Sequence, residues 1–381
     1  MAVETPSAPS VPRRLLGSSA LHSVLAAVAV GALFLLGTGA EPVGAYGSVV
    51  TGALGPDGIG PTLTTGTSVL GLAVALAVPL RAGLLNLGGD GQLVLGGIAA
   101  AATGLYVPLP APLAVAAALL AGTAAGAAYA ALAAVCQNRF GVPLLVSSLL
   151  LGYPAMSFAS YLARFPMKED GSSLPQTRRL PDGVALPAFG DSTVTVGLLL
   201  VLVAAGLFVF ADARTGAGYE IRMTGLNPRF AAYAGVDRPR LTLRLMALSG
   251  GMAGLVGAIG VLSFPYRFID GALTGAGHTW TALTAALLAS AAPLGTALAA
   301  LFFAALDVGG LAMERTTEVP RELTQVLQAV VIVFLAARLR FTWRRARRPG
   351  GTAESHEAPE TDLAPAREHP RPTDRTKVTS R

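Results

Sequence analysis

An all-α polytopic membrane protein is the fold class this sequence predicts, and three observations predict it. The chain is 52% hydrophobic and 13% charged over 381 residues, too apolar to cover itself with a water-soluble surface. Apolar runs of helical length recur from residue 21 to residue 339, separated by polar stretches. The basic residues sit beside those runs, at Arg139, from Arg214 to Arg244 and from Arg338 to Arg348, the pattern of membrane topology. The net charge of +6 thus reflects orientation in a bilayer and not a nucleic-acid surface. Glycine is abundant at 45 residues, which suits closely packed spanning helices. The single cysteine, Cys136, allows no internal disulfide, and no Cys or His pair has metal-ligand spacing.

Ten spans are expected, over residues 21–37, 67–80, 93–106, 112–135, 144–162, 194–211, 241–262, 279–291, 295–311 and 323–339. The first follows Arg13 and Arg14 as a signal peptide would, but it is long for one and Thr38-Gly39-Ala40 is a poor cleavage site. It is read as an uncleaved helix. A spanning helix takes about 20 residues, so the runs at 93–106 and 279–291 are short and imply broken or extended helices. With ten spans the three basic clusters share one side, read as cytoplasmic, with both termini. The stretches 41–66 and 164–191 then form external loops. Residues 1–18 make a cytoplasmic N-terminal segment, 19–340 the membrane domain, and 341–381 a basic tail too poor in apolar residues to fold.

Two segments carry more than membrane character. Arg81-Ala-Gly-Leu-Leu-Asn-Leu-Gly-Gly-Asp-Gly-Gln92 lies between two apolar runs, with glycines that weaken a helix and with Asn86, Asp90 and Gln92 as polar groups. An acid at the bilayer centre costs about 2.5–3.5 kcal/mol on insertion scales, so such a stretch either lines a cavity at a helix break or forms a cytoplasmic turn with Asp90 at the next helix N-terminus. The second segment spans Arg214 to Arg240. Asn227 is a plausible N-cap, Pro228 a first helical residue and Gly235 a terminator, which delimits a short basic helix. Such a helix docks on a soluble partner or lies on anionic lipid. Tyr153 and Phe158, on the fifth span, are available to stack on a planar ligand, although packing explains such aromatics equally well. Gly122 with Gly126, and Gly250 with Gly254, are spaced for helix packing.

The ordered motifs resemble one family. Arg81 to Gln92 is similar to the R-A-G-x-x-N-I-G-x-E-G-Q signature of ABC transporter permeases of the branched-chain amino acid and simple sugar class, closest to the nucleoside-importer branch. Leu162-Ala-Arg-Phe-Pro-Met-Lys, Leu174-Pro-Gln-Thr and Leu186-Pro resemble that branch's external loop. Gly218-Tyr-Glu-Ile-Arg, Gly225-Leu-Asn-Pro and Tyr233-Ala-Gly-Val resemble its coupling segment, and Ser249-Gly-Gly-Met-Ala-Gly-Leu-Val-Gly the helix that follows. The chain departs from the pattern at Asp90, where Glu is usual, at Arg229-Phe-Ala in place of Glu-Ala-Ala, and around His278, where a glycine-rich run is usual.

The resemblance implies a permease subunit that imports a small polar solute, a nucleoside first, with a simple sugar or branched-chain amino acid as alternatives. Asn86, Asp90 and Gln92, in the matched signature, with Tyr153 and Phe158 as aromatics on the fifth span, are the candidates for the substrate pathway or its gate. Gly218, Glu220, Arg222, Gly225, Asn227, Ala231, Ala232 and Gly235 become candidates for coupling to an ATPase. The chain contains no phosphate-binding G-x-x-x-x-G-K-[ST] loop, and its lysines are Lys168 and Lys377. ATP and Mg would therefore be bound by cytoplasmic ABC ATPase partners, with no cofactor in this chain. A second permease subunit and an extracellular substrate-binding lipoprotein complete the implied assembly in a bacterial plasma membrane. A rival of another class, an ion-coupled transporter, would need titratable residues in mid-helix, for which Asp90 and Asp307 are the candidates.

Overall fold

The computed structural model describes residues 29–33, 35–37, 41–190, 192–317 and 329. Among them the architecture is helical, with no strand beyond isolated bridges. In chain order the helices are α1 (Pro42–Leu54), α2 (Ile59–Leu80), α3 (Gly89–Tyr106), α4 (Ala111–Phe140), α5 (Leu144–Arg164), α6 (Gly197–Arg214), α7 (Gly216–Leu226), α8 (Pro228–Tyr233), α9 (Arg238–Leu262), α10 (Ala272–Gly275), α11 (His278–Leu288) and α12 (Pro293–Thr317).

Six of these, α2, α4, α5, α6, α9 and α12, are long and apolar enough to cross a bilayer. The short eighth run is confirmed as a short helix, since α11 has 11 residues. The spans expected over 21–37 and 323–339 lie largely outside the described residues, as does the tail from 341. One expectation is corrected. Residues 41–66 are not a loop, because Pro42–Leu54 is helical and α2 begins at Ile59. Pro42 opens α1 at a position that needs no N–H. The small residues of α1 hid it from a hydropathy reading, and it is fixed by packing on α12, where Gly52 meets Ala312 and Gly309 meets the Val49 carbonyl.

The core is built by α2, α3 and α9, the most buried elements, with α4 crossing α9. The crossing is made by the glycines whose spacing pointed to packing. A side chain on Gly254 would strike the Gly122 carbonyl, and one on Gly126 would strike the Gly250 carbonyl. Without a hydrophobic driving force inside lipid, this backbone approach and its dispersion contacts are what hold two helices together.

The Arg139 cluster and the Arg214–Arg244 cluster lie at one end of the bundle, where the Asn138 side-chain amide donates to the Pro239 carbonyl at 2.9 Å. At the opposite end, residues 165–190 and 192–196 form an irregular stretch stitched to residues 262–270. Thr177 N–H donates to the Phe268 carbonyl at 2.9 Å, and Leu180 N–H to the Tyr266 carbonyl at 2.8 Å. Arg164 pairs with Asp270 at 2.8 Å and Arg267 with Glu169 at 2.6 Å.

Candidate functional site

The Arg81–Gln92 segment is a true break between α2 and α3, with residues 84–88 free of regular structure. It is no exposed turn. Asn86 and Gln92 are each 2% exposed, and the irregular backbone is satisfied from within the protein, as a bilayer requires. Leu87 N–H donates to the Ser148 hydroxyl of α5 at 3.0 Å, and Gly88 N–H to Asn86 Oδ1 at 3.0 Å. Asn86 Nδ2 donates to Gln92 Oε1 and to Ser249 Oγ on α9, both at 2.9 Å. Gln92 Nε2 donates back to Asn86 Oδ1 at 3.1 Å. Two of the three polar candidates therefore form a closed network that locks the break to the middle of α9.

Asp90 sits in the first turn of α3, where the helix dipole favours an acid. It is half-buried and faces Thr279 of α11. Asp90 thus joins α3 to the short helix rather than to the Asn86–Gln92 pair. Tyr153 and Phe158 are not brought to this cluster. They are 60% and 54% exposed on the outer face of α5, so neither is placed to stack on a ligand held inside this subunit.

Sequence reasoning missed a hydroxyl-lined concavity at the end away from the Arg139 cluster. A cavity of about 200 Å³ opens between α2, α9 and the linker before α6. Its walls carry the hydroxyls of Thr64, Thr67, Ser68, Thr193, Thr195 and Ser263, with Phe264 and His278 beside them. Two hydroxyl pairs bridge its elements, Thr64 to Thr193 and Thr195 to Ser263, both at 3.1 Å between oxygens. His278 Nε2 lies 3.9 Å from the Asp307 carboxylate on α12. Isolated Ser and Thr in apolar helices carry little signal in a sequence, since each normally bonds its own helix backbone. Only the spacing Thr64, Thr67, Ser68, which puts three hydroxyls on one helix face, was legible.

At the basic end, the segment expected to be one short helix is two. Thr215 caps α7, its Oγ1 accepting from Gly218 N–H at 3.1 Å. Asn227 caps α8 as expected, accepting from Arg229 and Phe230 N–H at 3.1 and 3.0 Å, with Pro228 at the first position. Gly235 adopts φ +90°, the left-handed conformation that ends such a helix. Ala231 is buried and faces inward, while Glu220, Ala232 and the rings of Tyr219, Phe230 and Tyr233 are exposed. Gly218 packs on the Ala211 carbonyl and Gly225 on the Arg81 carbonyl, leaving no room for a side chain at either place. Arg222 pairs with Asp212 at 3.3 Å.

Residues 59–336 match the protein family described as branched-chain amino acid transport system / permease component. A glucose ABC transporter permease protein of Haloferax volcanii is 33% identical over 340 residues, covering 86% of this chain and 88% of the relative. A guanosine ABC transporter permease protein of Bacillus subtilis is 28% identical over 87% of this chain and 96% of its own length. A nucleoside ABC transporter permease protein of Lactococcus lactis is 26% identical over 81% and 87%.

Proposed function

The chain belongs to the branched-chain amino acid transport system / permease component family, and on that premise we propose that it is the membrane path of an ATP-driven nucleoside importer. The observation that carries the solute class is the hydroxyl-walled cavity at the end opposite the coupling segment. Ribose hydroxyls can replace the Thr64–Thr193 and Thr195–Ser263 contacts one for one, at little cost in unpaired groups. Phe264 and His278 offer a ring face and a hydrogen-bonding edge to a base. Two of the three relatives named above are nucleoside or guanosine permeases. The glucose permease supports a second reading, a hexose, which presents the same hydroxyl pattern without a base.

In this reading the cavity faces outside, where a substrate-binding protein delivers the solute, and the basic end faces the cytoplasm. Tyr219, Phe230 and Tyr233 form an apolar exposed face on α7 and α8, suited to a groove on an ATPase subunit. ATP is bound and hydrolysed on those partners. Their closure moves α7–α8 and shifts the path between two accessible states. The Asn86–Gln92–Ser249 network and Asp90 form the gate between the cavity and the coupling end.

Uptake of labelled guanosine into vesicles carrying the complete importer, competed by unlabelled nucleosides and by glucose, tests the substrate. Competition by nucleosides at concentrations where glucose has no effect is expected, and the reverse result assigns a hexose. Ser68→Phe, which fills the cavity from α2, is expected to lower uptake by more than about tenfold with an unchanged unfolding temperature. Undiminished uptake would place the solute elsewhere. For Asp90→Ala the expected result is loss of uptake while the ATPase subunits still co-purify, and wild-type uptake would remove Asp90 from the gate.

A further inference from the structure

We propose that Asp212 is a positioning residue that clamps the coupling segment to the loop entering α3, so that displacement of α7 is delivered straight to the Asn86 network. The inference rests on the reading of α7–α8 as the ATPase-docking segment.

Asp212 lies near the end of α6, and its side chain is only 12% exposed. Its two oxygens are taken by one guanidinium in a fork, Arg81 Nε to Oδ1 at 3.1 Å and Arg81 Nη2 to Oδ2 at 3.2 Å. Oδ1 also receives Arg222 Nη1 at 3.3 Å. One carboxylate thus ties three elements together: Arg81 caps the end of α2, Asp212 belongs to α6 and Arg222 to α7. Bidentate charge-assisted pairs fix orientation as well as distance, and partial burial protects this one from screening.

Backbone contacts reinforce the same joint. Gly225 of α7 rests on the Arg81 carbonyl and Gly218 on the Ala211 carbonyl, so α7 touches both neighbours with no flexible side chain between. Beyond Arg81 the chain turns at Gly83, φ +76°, and residues 84–88 run without helix to Gly89. A helix can bend, whereas a short non-helical connector pinned at both ends has little slack. It is pinned at one end by the Arg81–Asp212 fork and at the other by the Asn86 bonds to Gln92 and Ser249. A pull on Arg222 therefore arrives at the break in the membrane path without first rearranging α2 or α9.

The test uses the complete importer in vesicles, measuring co-purified ATPase, unfolding temperature and solute taken up per ATP hydrolysed. Arg222→Gln leaves the Arg81–Asp212 fork intact, so it is expected to assemble normally and to lose about tenfold in uptake per ATP. Arg222→Lys should restore part of that loss, since a point charge keeps the attraction to Asp212 that a neutral glutamine lacks. Asp212→Asn is expected to lose as much or more, and adding Arg222→Gln to it should lower the ratio no further. Unchanged uptake per ATP in an assembled Arg222→Gln importer overturns the clamp, as do losses that multiply in the double variant. Loss of ATPase from Arg222→Gln would also overturn it, by making Arg222 a docking contact. The docking reading fails separately, if Glu220→Arg and Ala232→Pro on the exposed face leave ATPase binding and coupled uptake intact.

Discussion

Gly254→Val should leave almost no folded protein in the membrane. The reason is the identity of the neighbours. The first carbon of any side chain at 254 would collide with the Gly122 carbonyl oxygen and reach 3.0 Å from the Gly126 α-carbon. Both are backbone atoms of α4, and neither can rotate away. Gly96 of α3 approaches Gly254 from another side just as closely, so relief would require separating three core helices at once. Overpacking costs typically 1–3 kcal/mol when side chains can yield, and here they cannot, so a loss of about 3 kcal/mol or more is expected. Fluorescence-detected size exclusion of the solubilised importer should show the main peak reduced by more than about tenfold. Gly206→Ala serves as the control, because nothing lies within 4 Å of the position and alanine favours a helix. Wild-type recovery of Gly254→Val would mean that α4 and α9 do not cross where the structure places them.

Asn86→Leu is expected to abolish uptake and to lower the unfolding temperature. Leucine has the branched skeleton of asparagine with bulkier methyl ends and no polar atoms, so the substitution deletes four hydrogen bonds without opening a cavity. Gly88 N–H, the Gln92 amide and the Ser249 hydroxyl are left buried and unpaired. Each such group costs about 1–3 kcal/mol, and the penalties fall on the irregular stretch that no helix supports. Ser249→Ala removes one acceptor only, while Asn86 keeps Gln92, so a loss of about 1 kcal/mol and reduced but measurable uptake are expected. Equal effects of the two substitutions would show that the bonds of Asn86 to Gln92 and Gly88 add nothing beyond its bond to Ser249. Uptake surviving Asn86→Leu would remove it from the gate.

The same two sites show how legible this molecule was in its sequence. Asn86 and Gln92 stood out because polar residues between apolar runs are expensive in lipid and must be answered by something. Whether the answer was a cytoplasmic turn or a buried break depended on Ser148 and Ser249, which lie far away in the chain and look like ordinary helix residues. Gly122, Gly126, Gly250 and Gly254 announced packing by their spacing, and the caps at Asn227 and Gly235 followed from local rules that need no tertiary context. The second helix of the coupling segment, α7, was less visible, since Thr215 becomes a cap only when the chain turns there.

Hydropathy and charge asymmetry by themselves determined the membrane-spanning helical class, the clustering of Arg139 with the 214–244 region at one end, and the six internal spans long and apolar enough to cross a bilayer, because lipid enforces those patterns residue by residue. The tertiary structure alone decided that residues 42–54 are helical, that Tyr153 and Phe158 face outward, that six hydroxyls from three elements share a cavity, and that Asp212 joins Arg81 to Arg222. Each of these depends on the relative rotation and depth of separate helices. Dispersion contacts between small residues set that rotation, and although the spacing of small residues marks which face of a helix packs, it does not say which partner helix it meets or at what depth.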